Sequence, residues 1–448
     1  MDDLPPALLI DILSRLTDSS DLARCRVASK TLNALSDDVR SINLVCSMSG
    51  YLKSRSPETK ALVTPFKAVF KDLVLRSRHL ESVSIGVDKS LGGISFDDVE
   101  DESDDLYLTD FNFMKEWLPR VSGELKSLFI SDFWVQSCWR RSEALTLISS
   151  SCHSLLKLVV KNAWLSVDGL NPMPMLTSLT LEFVRLDDEY LNKISSCFPN
   201  LTELNLIGVG GLKEPKIDLL HLRTCEWSVS NAPLHLMIHA PNLVHFQLKC
   251  IKPRFIVLEA PALSSFSLSL ESTDELKLKD CYSLEYLQLE SFNLDSLLAM
   301  FRGCETVKRL TVDSFRRNEQ VKVTRFGLDT LFDSFPKISY LNLGPGAWHE
   351  METSFCKGGL EDMIGMKTLR ELIAHLVVSD IESTLAFIFS ILGKCTKLSD
   401  VSLLIHRDVD SCVAGNLISR CRSNFPRVRW RWGIWKEGTK DTWVSDGV

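Results

Sequence analysis

The sequence predicts an α/β protein: a three-helix module at the N-terminus, then a curved solenoid whose strands form a parallel concave sheet. Three observations predict it. A six-residue phrase, apolar-x-x-apolar-x-apolar, occurs thirteen times between Leu80 and Leu403. Successive copies fall mostly 20 to 31 residues apart, the period of stacked strand units. Ahead of them, Leu4 to Leu44 carry more apolar surface than forty residues can bury alone.

The N-terminal stretch reads LPPALLIDILSRLTDSSDLARCRVASKTLNALSDDVRSINL. Leu8, Leu9, Ile12, Leu13 and Leu16 recur at helical spacing, so they are expected on one side of a short helix. Ser19, Ser20 and Asp21 are N-cap candidates for a second helix, which carries Leu22, Cys25 and Ala28. A third, from Lys30 to about Asp37, carries Leu32 and Leu35. A terminal helical unit this rich in exposed Leu and Ile needs a partner surface.

The stretch resembles an F-box, the module that docks onto the Skp adaptor of cullin-based ubiquitin ligases. The matching residues are Leu4-Pro5, the run Ile12-Leu13-Ser14-Arg15-Leu16, Asp21-Leu22, Arg24, Arg26-Val27, Lys30 and Leu35. Ala7, Ala28-Ser29 and Leu32 depart from the usual pattern, which commonly has an acidic residue, Val-Cys and Trp there. The resemblance implies that Leu4, Pro5, Leu8, Ile12, Leu16, Leu22 and Val27 contact the adaptor.

Composition narrows the function classes. The 448 residues are 45% hydrophobic and 24% charged, as expected of a folded globular chain. Net charge is −7, which argues against a broad nucleic-acid surface. No apolar run reaches the ~18 residues of a membrane helix, and no signal-peptide pattern opens the chain, so an intracellular protein of the nucleus or cytoplasm is expected. Thirteen cysteines include no C-x-x-C pair, which leaves zinc ribbons and thioredoxin chemistry without support. Cys152, Cys281, Cys304 and Cys395 each sit three residues before a strand phrase, and Cys197 sits four before one; they are expected to pack under corners.

The organisation expected is an N-terminal module over 1–45, a helical connection over 46–79 and the solenoid over 80–448. In the connection, Phe66, Val69, Phe70, Leu73 and Val74 line one side of a helix. The phrases include LTELNL at 201–206, LVHFQL at 243–248, LEYLQL at 284–289, VKRLTV at 307–312, ISYLNL at 338–343 and LSDVSL at 398–403. A recurring L-x-x-L-x-L is the leucine-rich-repeat signature: no unit can bury its apolar edge alone, so neighbours stack. Long repeats leave room for helices at Leu294–Phe301, Phe326–Phe335 and Ile381–Leu392. The short repeats from Leu222 to Leu284 do not, and carry extended segments at Leu234–Ile238, Phe255–Leu258 and Leu276–Leu278. Ala240-Pro241 and Ala260-Pro261 set corners. This mixture resembles the plant F-box/leucine-rich-repeat proteins over nearly the whole chain.

Two segments break the rhythm. Asp97 to Asp105 place seven acids in nine residues, which repel one another and stay solvated. Near the C-terminus, Val428, Trp430 and Trp432 alternate with Arg427, Arg429 and Arg431. The tryptophans, with Trp435, are expected to cap the last turn, and the arginines form a face able to meet an acidic group.

No catalytic constellation is found. His406-Arg407-Asp408 lacks the asparagine of a kinase loop, since position 413 is Val413. Asn200-Leu201-Thr202 fits a glycosylation sequon but lies inside a strand phrase. No cofactor or metal is called for. The family resemblance implies a non-catalytic substrate-recognition subunit of a Skp–cullin–F-box ubiquitin ligase, with no nucleic-acid or membrane partner. Its target would meet the residues between the Leu positions on the concave strands: His245, Gln247, Lys249, Tyr286, Gln288, Glu290, Arg309, Thr311, Asp313, Tyr340, Asn342 and His375. The alternative is a leucine-rich-repeat binding scaffold with a degenerate F-box. A small-molecule receptor would need a basic floor, and Lys157, Lys161, Lys249 and Arg309 are too scattered to supply one.

Overall fold

The computed structural model describes residues 4–16, 18–95, 104–186, 188–229, 233–315, 327–358 and 367–444. It divides into two compact units, one essentially Met1–Asn231 and the other essentially Asn242–Val448.

The first unit opens with helices Pro6–Ser14, Ser19–Ala28 and Lys30–Leu35. Pro5 and Pro6 start the first helix, where proline's missing N–H costs nothing. The second is capped by Asp18, whose carboxylate accepts from Ser20 N at 2.8 Å. This differs from the expected caps at Ser19, Ser20 or Asp21: Ser19 is already helical and buried. Ser29 ends the second helix and caps the third, its hydroxyl accepting from Leu32 N at 3.4 Å.

A ladder of parallel strands follows: Ser41–Cys46, Ser82–Val87, Ser127–Ser131, Lys157–Lys161, Ser178–Glu182, Glu203–Val209 and Thr224–Val229. Their inward residues fall in register. One row runs Ile42, Val83, Leu128, Leu158, Leu179, Leu204, Cys225, and the next runs Leu44, Ile85, Ile130, Val160, Leu181, Leu206, Trp227. All are buried. The sheet therefore begins at Ser41, within the segment read as the N-terminal module, rather than at Leu80. Val39, Ile42 and Leu44 supply one more copy of the phrase, all buried.

Helices Phe66–Arg76, Phe111–Val121, Ala144–Ser151 and Asp188–Cys197 belong to the same unit. Phe70, Leu73 and Val74 of the connecting helix are buried, with Phe70 edge-on to Trp117 at 5.1 Å, whereas Val69 is turned outward. Asp105 holds the start of this helix, accepting from Phe66 N at 2.7 Å and Lys67 N at 3.1 Å, and Asp104 pairs with Arg140. These two acids are not merely solvated; the remainder of the acidic stretch, 97–103, lies outside the described residues.

In the second unit, eight parallel strands stack in order: His245–Cys250, Ser265–Leu270, Tyr286–Ser291, Arg309–Ser314, Tyr340–Leu343, Glu371–Leu376, Asp400–His406 and Arg429–Trp435. The short repeats carry the extended segments expected, Phe255–Glu259 pairing in parallel with Glu275–Lys279. The long repeats carry helices Leu294–Met300, Leu328–Ser334 and Ile381–Lys394. Two more, Pro345–Gly358 and Ser411–Asn424, were not anticipated. The antiparallel strand Thr442–Val444 closes the unit. Trp430, Trp432 and Trp435 are buried there, with Trp430 and Trp432 stacked at 5.5 Å, while Val428 is half-buried.

None of the cysteines is in a disulfide. Burial pushes the Cys152 thiol up to about 12 and that of Cys281 to about 11, which keeps both as unreactive packing groups. Cys281 Sγ lies 3.8 Å from the Ala260 carbonyl, under the Ala260-Pro261 corner.

Asp132 is the most deeply buried carboxyl group in the first unit. Thr109 N donates to it at 3.0 Å, and Leu108 N and the Thr109 hydroxyl donate as well. Burial outweighs these donors and lifts its pKa from 3.8 to about 7. The folded chain thus keeps a proton that the unfolded chain releases, so this group's contribution to stability falls as pH rises from about 4 to about 7. We expect Asp132→Asn to match the parent in urea unfolding near pH 4 and to exceed it at pH 8. Equal pH profiles for the two proteins would contradict the assignment.

Candidate functional site

The first helix has two apolar faces, not one. Leu9 and Leu13 are buried. Leu8 and Ile12 are 52% and 47% exposed, and Leu4 and Pro5 are exposed with them. Neighbouring helical residues point about 100° apart, so a double row of apolar groups splits between inside and outside. The inner face and the second helix close the first strand: Ser19 Oγ accepts from Asn43 N at 3.0 Å, and Ser14 Oγ accepts from Arg40 N at 3.1 Å.

Leu22 is 2% exposed. It belongs to this inner seal, and the expectation that it touches an adaptor directly is corrected. Leu16 is half-buried, whereas Val27 is 91% exposed. The segment after Val27 is fixed by Arg26, whose Nε donates to Ser36 Oγ at 2.7 Å and whose guanidinium lies 3.5 Å from Asp37. Of the positions that depart from the F-box pattern, Ala7 is exposed, Ser29 is the helix cap just described, and Leu32 is half-buried.

The second surface is the open face of the strands in the second unit. Register places His245, Ser265, Tyr286, Arg309, Tyr340, Glu371, Asp400 and Arg429 in one row. Gln247, Ser267, Gln288, Thr311 and Asn342 form the next, and Lys249, Ser269, Glu290 and Asp313 the third. His245, Gln247, Lys249 and Arg309 are exposed; Tyr286, Gln288, Glu290, Thr311, Tyr340 and Asn342 are half-buried. Within the face, the Tyr286 hydroxyl donates to Gln288 Oε1 at 3.2 Å, Ser269 Oγ donates to Glu290 at 2.7 Å, and the Arg309 guanidinium lies 3.9 Å over the Tyr340 ring.

Two expected contact residues are spent internally. Asp313 Oδ1 accepts from Ser314 N at 2.8 Å, Gly346 N at 2.9 Å and Ala347 N at 3.3 Å. It caps the Pro345–Gly358 helix from a neighbouring strand, and burial raises its pKa. A side chain at Gly346 would meet the Ser314 carbonyl at 2.0 Å, so the cap demands glycine there. His375 lies 3.3 Å from the Leu343 carbonyl and 3.2 Å from Asp441. The C-terminal segment covers this end of the face: Trp435 Nε1 donates to the Leu376 carbonyl at 3.1 Å, and Trp443 lies beside Gly433 and under Arg431 at 4.8 Å. Arg429 pairs with Asp400 at 2.8 Å. The arginine face expected from the alternation is thus partly neutralised.

Sequence reasoning missed a cavity of about 780 Å³ in the first unit. It sits at the carboxyl ends of the strands, lined by Trp134, Lys161, Asn162, Trp164, Phe183 and Arg185 among others. Asn162 and Phe183 have left-handed backbones, φ 56° and 52°, and Phe183 is 61% exposed. The Phe183 ring covers Gly208, where a Cβ would meet it at 2.6 Å. Asparagine tolerates the left-handed region, but the departure at Phe183 has no local sequence signal.

Among the described residues, no group of His, Cys, Asp and Glu could hold a metal ion, and no helix is long and apolar enough to cross a membrane.

Comparison with known proteins agrees with the helical module and the strand ladder. An F-box-like family model matches residues 1–42. The F-box/LRR-repeat protein At4g29420 of Arabidopsis thaliana is 52% identical over 449 residues, covering 99% of this chain and 100% of the relative. The F-box protein At1g10780 of the same plant is 24% identical over 234 residues, 50% of this chain and 48% of the relative. A terminal helical module on a ladder of leucine-rich strands defines an F-box protein with a repeat domain. The chain belongs to the plant F-box/leucine-rich-repeat family.

The Asp313 cap gives a direct test. Asp313→Ala should cost about 1 kcal/mol by removing an N-cap acceptor, and Asp313→Asn should restore most of it. Urea midpoints check this; an alanine variant as stable as the parent would contradict the capping role.

Proposed function

We propose that this chain is the substrate-recognition subunit of a Skp–cullin–F-box ubiquitin ligase. The carrying observation is the outward pair Leu8 and Ile12, with exposed Leu4 just ahead of the helix, beside an inner face, Leu9 and Leu13, that is already buried. An exposed apolar stripe on a rigid helix suits a protein partner. Membership of the F-box family supports a Skp-type adaptor as that partner, and through it a cullin. Pro5, Leu16 and Val27 complete the proposed contact, with Leu22 supporting it from beneath.

The mechanism is tethering. Docking the helical module to the ligase while the open strand face holds a target raises the effective concentration of target lysines near the ubiquitin-charged enzyme. No bond is made or broken by this chain itself. The proposed target contacts are His245, Gln247, Lys249, Tyr286, Gln288, Glu290, Arg309, Thr311, Tyr340 and Asn342. They mix aromatic, amide and charged groups, as specific protein-binding surfaces do. Nuclear or cytoplasmic residence follows from the same reading.

The test is co-purification of the full chain with a Skp adaptor, alongside Ile12→Asp. A charge buried at a contact hot spot should weaken binding by about thirtyfold or more, with circular dichroism unchanged because Ile12 is exposed in the free chain. Failure of the parent chain to bind would overturn the ligase role and leave a repeat scaffold with a degenerate F-box.

A further inference from the structure

Resting on that reading of the open strand face, we infer that Arg309 is the anchor for an anionic side chain in the target. Tyr286, Arg309 and Tyr340 are adjacent in one row, and Gln288, Thr311 and Asn342 are adjacent in the next. Strands lie about 4.8 Å apart and same-face residues about 7 Å apart along a strand, so the six side chains form one compact block centred on Arg309 and Thr311.

The block has the composition of an anion receptor. The Arg309 guanidinium is held 3.9 Å over the Tyr340 ring. Stacking and a hydrogen bond with the Tyr340 hydroxyl fix the guanidinium, and its remaining N–H donors suit a carboxylate or phosphate. No carboxylate among the described residues lies within ion-pairing distance of it. Thr311 makes no side-chain hydrogen bond among the described residues, and Asn342 Oδ1 is buried without a partner. Gln288 uses its carbonyl to accept from Tyr286, so its amide N–H groups remain for a ligand. One guanidinium with the Gln288 and Thr311 donors calls for a group rich in acceptors and negative in charge.

The carboxylates nearby do not fill this role. Glu290 is bound by Ser269 at 2.7 Å. Asp313 is occupied in capping the Pro345–Gly358 helix. Glu371 lies one strand beyond Tyr340 in the row, about 10 Å from Arg309 by strand spacing. In a chain of net charge −7, an arginine left unneutralised on the open face is a local inversion of sign, and it selects for an acid.

Glutamate or aspartate and a phosphorylated residue share this chemistry, and the experiment separates them. Three degenerate peptide pools, fixed at the central position as glutamate, phosphoserine or serine, are titrated into the full chain by fluorescence polarisation. At least one anionic pool should bind about tenfold or more tightly than the serine pool. Arg309→Ala should abolish that preference, Arg309→Lys should keep only part of it, and Lys249→Ala should leave it intact. Preference for both anionic pools means that a carboxylate suffices; preference for phosphoserine alone assigns a phosphoryl group. Equal binding of all pools, absence of binding to any, or a preference that survives Arg309→Ala would overturn the inference. Adaptor capture of Arg309→Ala, run in parallel, should equal the parent's, so failure of this site and failure of the ligase role are told apart.

Discussion

A stack of parallel strands has two open ends, and each leaves unpaired N–H and C=O groups that invite association. Closing the first end is the constraint on which the N-terminal half depends. The edge strand Ser41–Cys46 meets helices rather than another strand. Ser19 and Ser14 hydroxyls take up the backbone N–H groups of Asn43 and Arg40, and Leu9, Leu13 and Leu22 are buried within the helical module. At the far end of the second unit the same problem is solved differently, by the antiparallel strand Thr442–Val444 and three buried tryptophans.

That constraint gives the F-box two tasks. Its inner face seals a sheet, and its outer face keeps Leu8 and Ile12 in water. Leaving two large aliphatic groups half-exposed forfeits about 1 kcal/mol or more each of burial, which is the mark of a surface awaiting a partner. The sealing role favours the proposed docking role, because a helix fixed by its own inner contacts presents its outer row without further ordering cost.

Much of the repeat frame was legible because a period of two within a strand and a period of 20 to 30 between strands are both local in sequence. What was missed needed long-range information. The Val39, Ile42 and Leu44 phrase was hidden because it lies within the stretch Leu4 to Leu44 read as one helical module. The Pro345–Gly358 helix begins within Gly344-Pro345-Gly346, which reads as a turn; its cap comes from Asp313 on another strand. Leu8 and Leu9 could be placed on one helix from spacing, but only packing decides which of two adjacent residues turns inward. Asp313 and His375 fall at proper strand positions, and their partners Gly346 and Asp441 are distant in the chain. The cavity edged by Asn162 and Phe183 depends in part on a left-handed backbone at Phe183, which that residue type does not announce.

One helix gives Leu9 to the core and leaves Leu8 at the surface for the proposed docking. The urea-unfolding midpoints of Leu9→Ala and Leu8→Ala in the free chain test this division. Leu9→Ala should lower stability by about 2–5 kcal/mol, as core truncations do, while Leu8→Ala should stay within about 0.5 kcal/mol of the parent. Equal losses in the two variants, or a larger loss for Leu8→Ala, would contradict it.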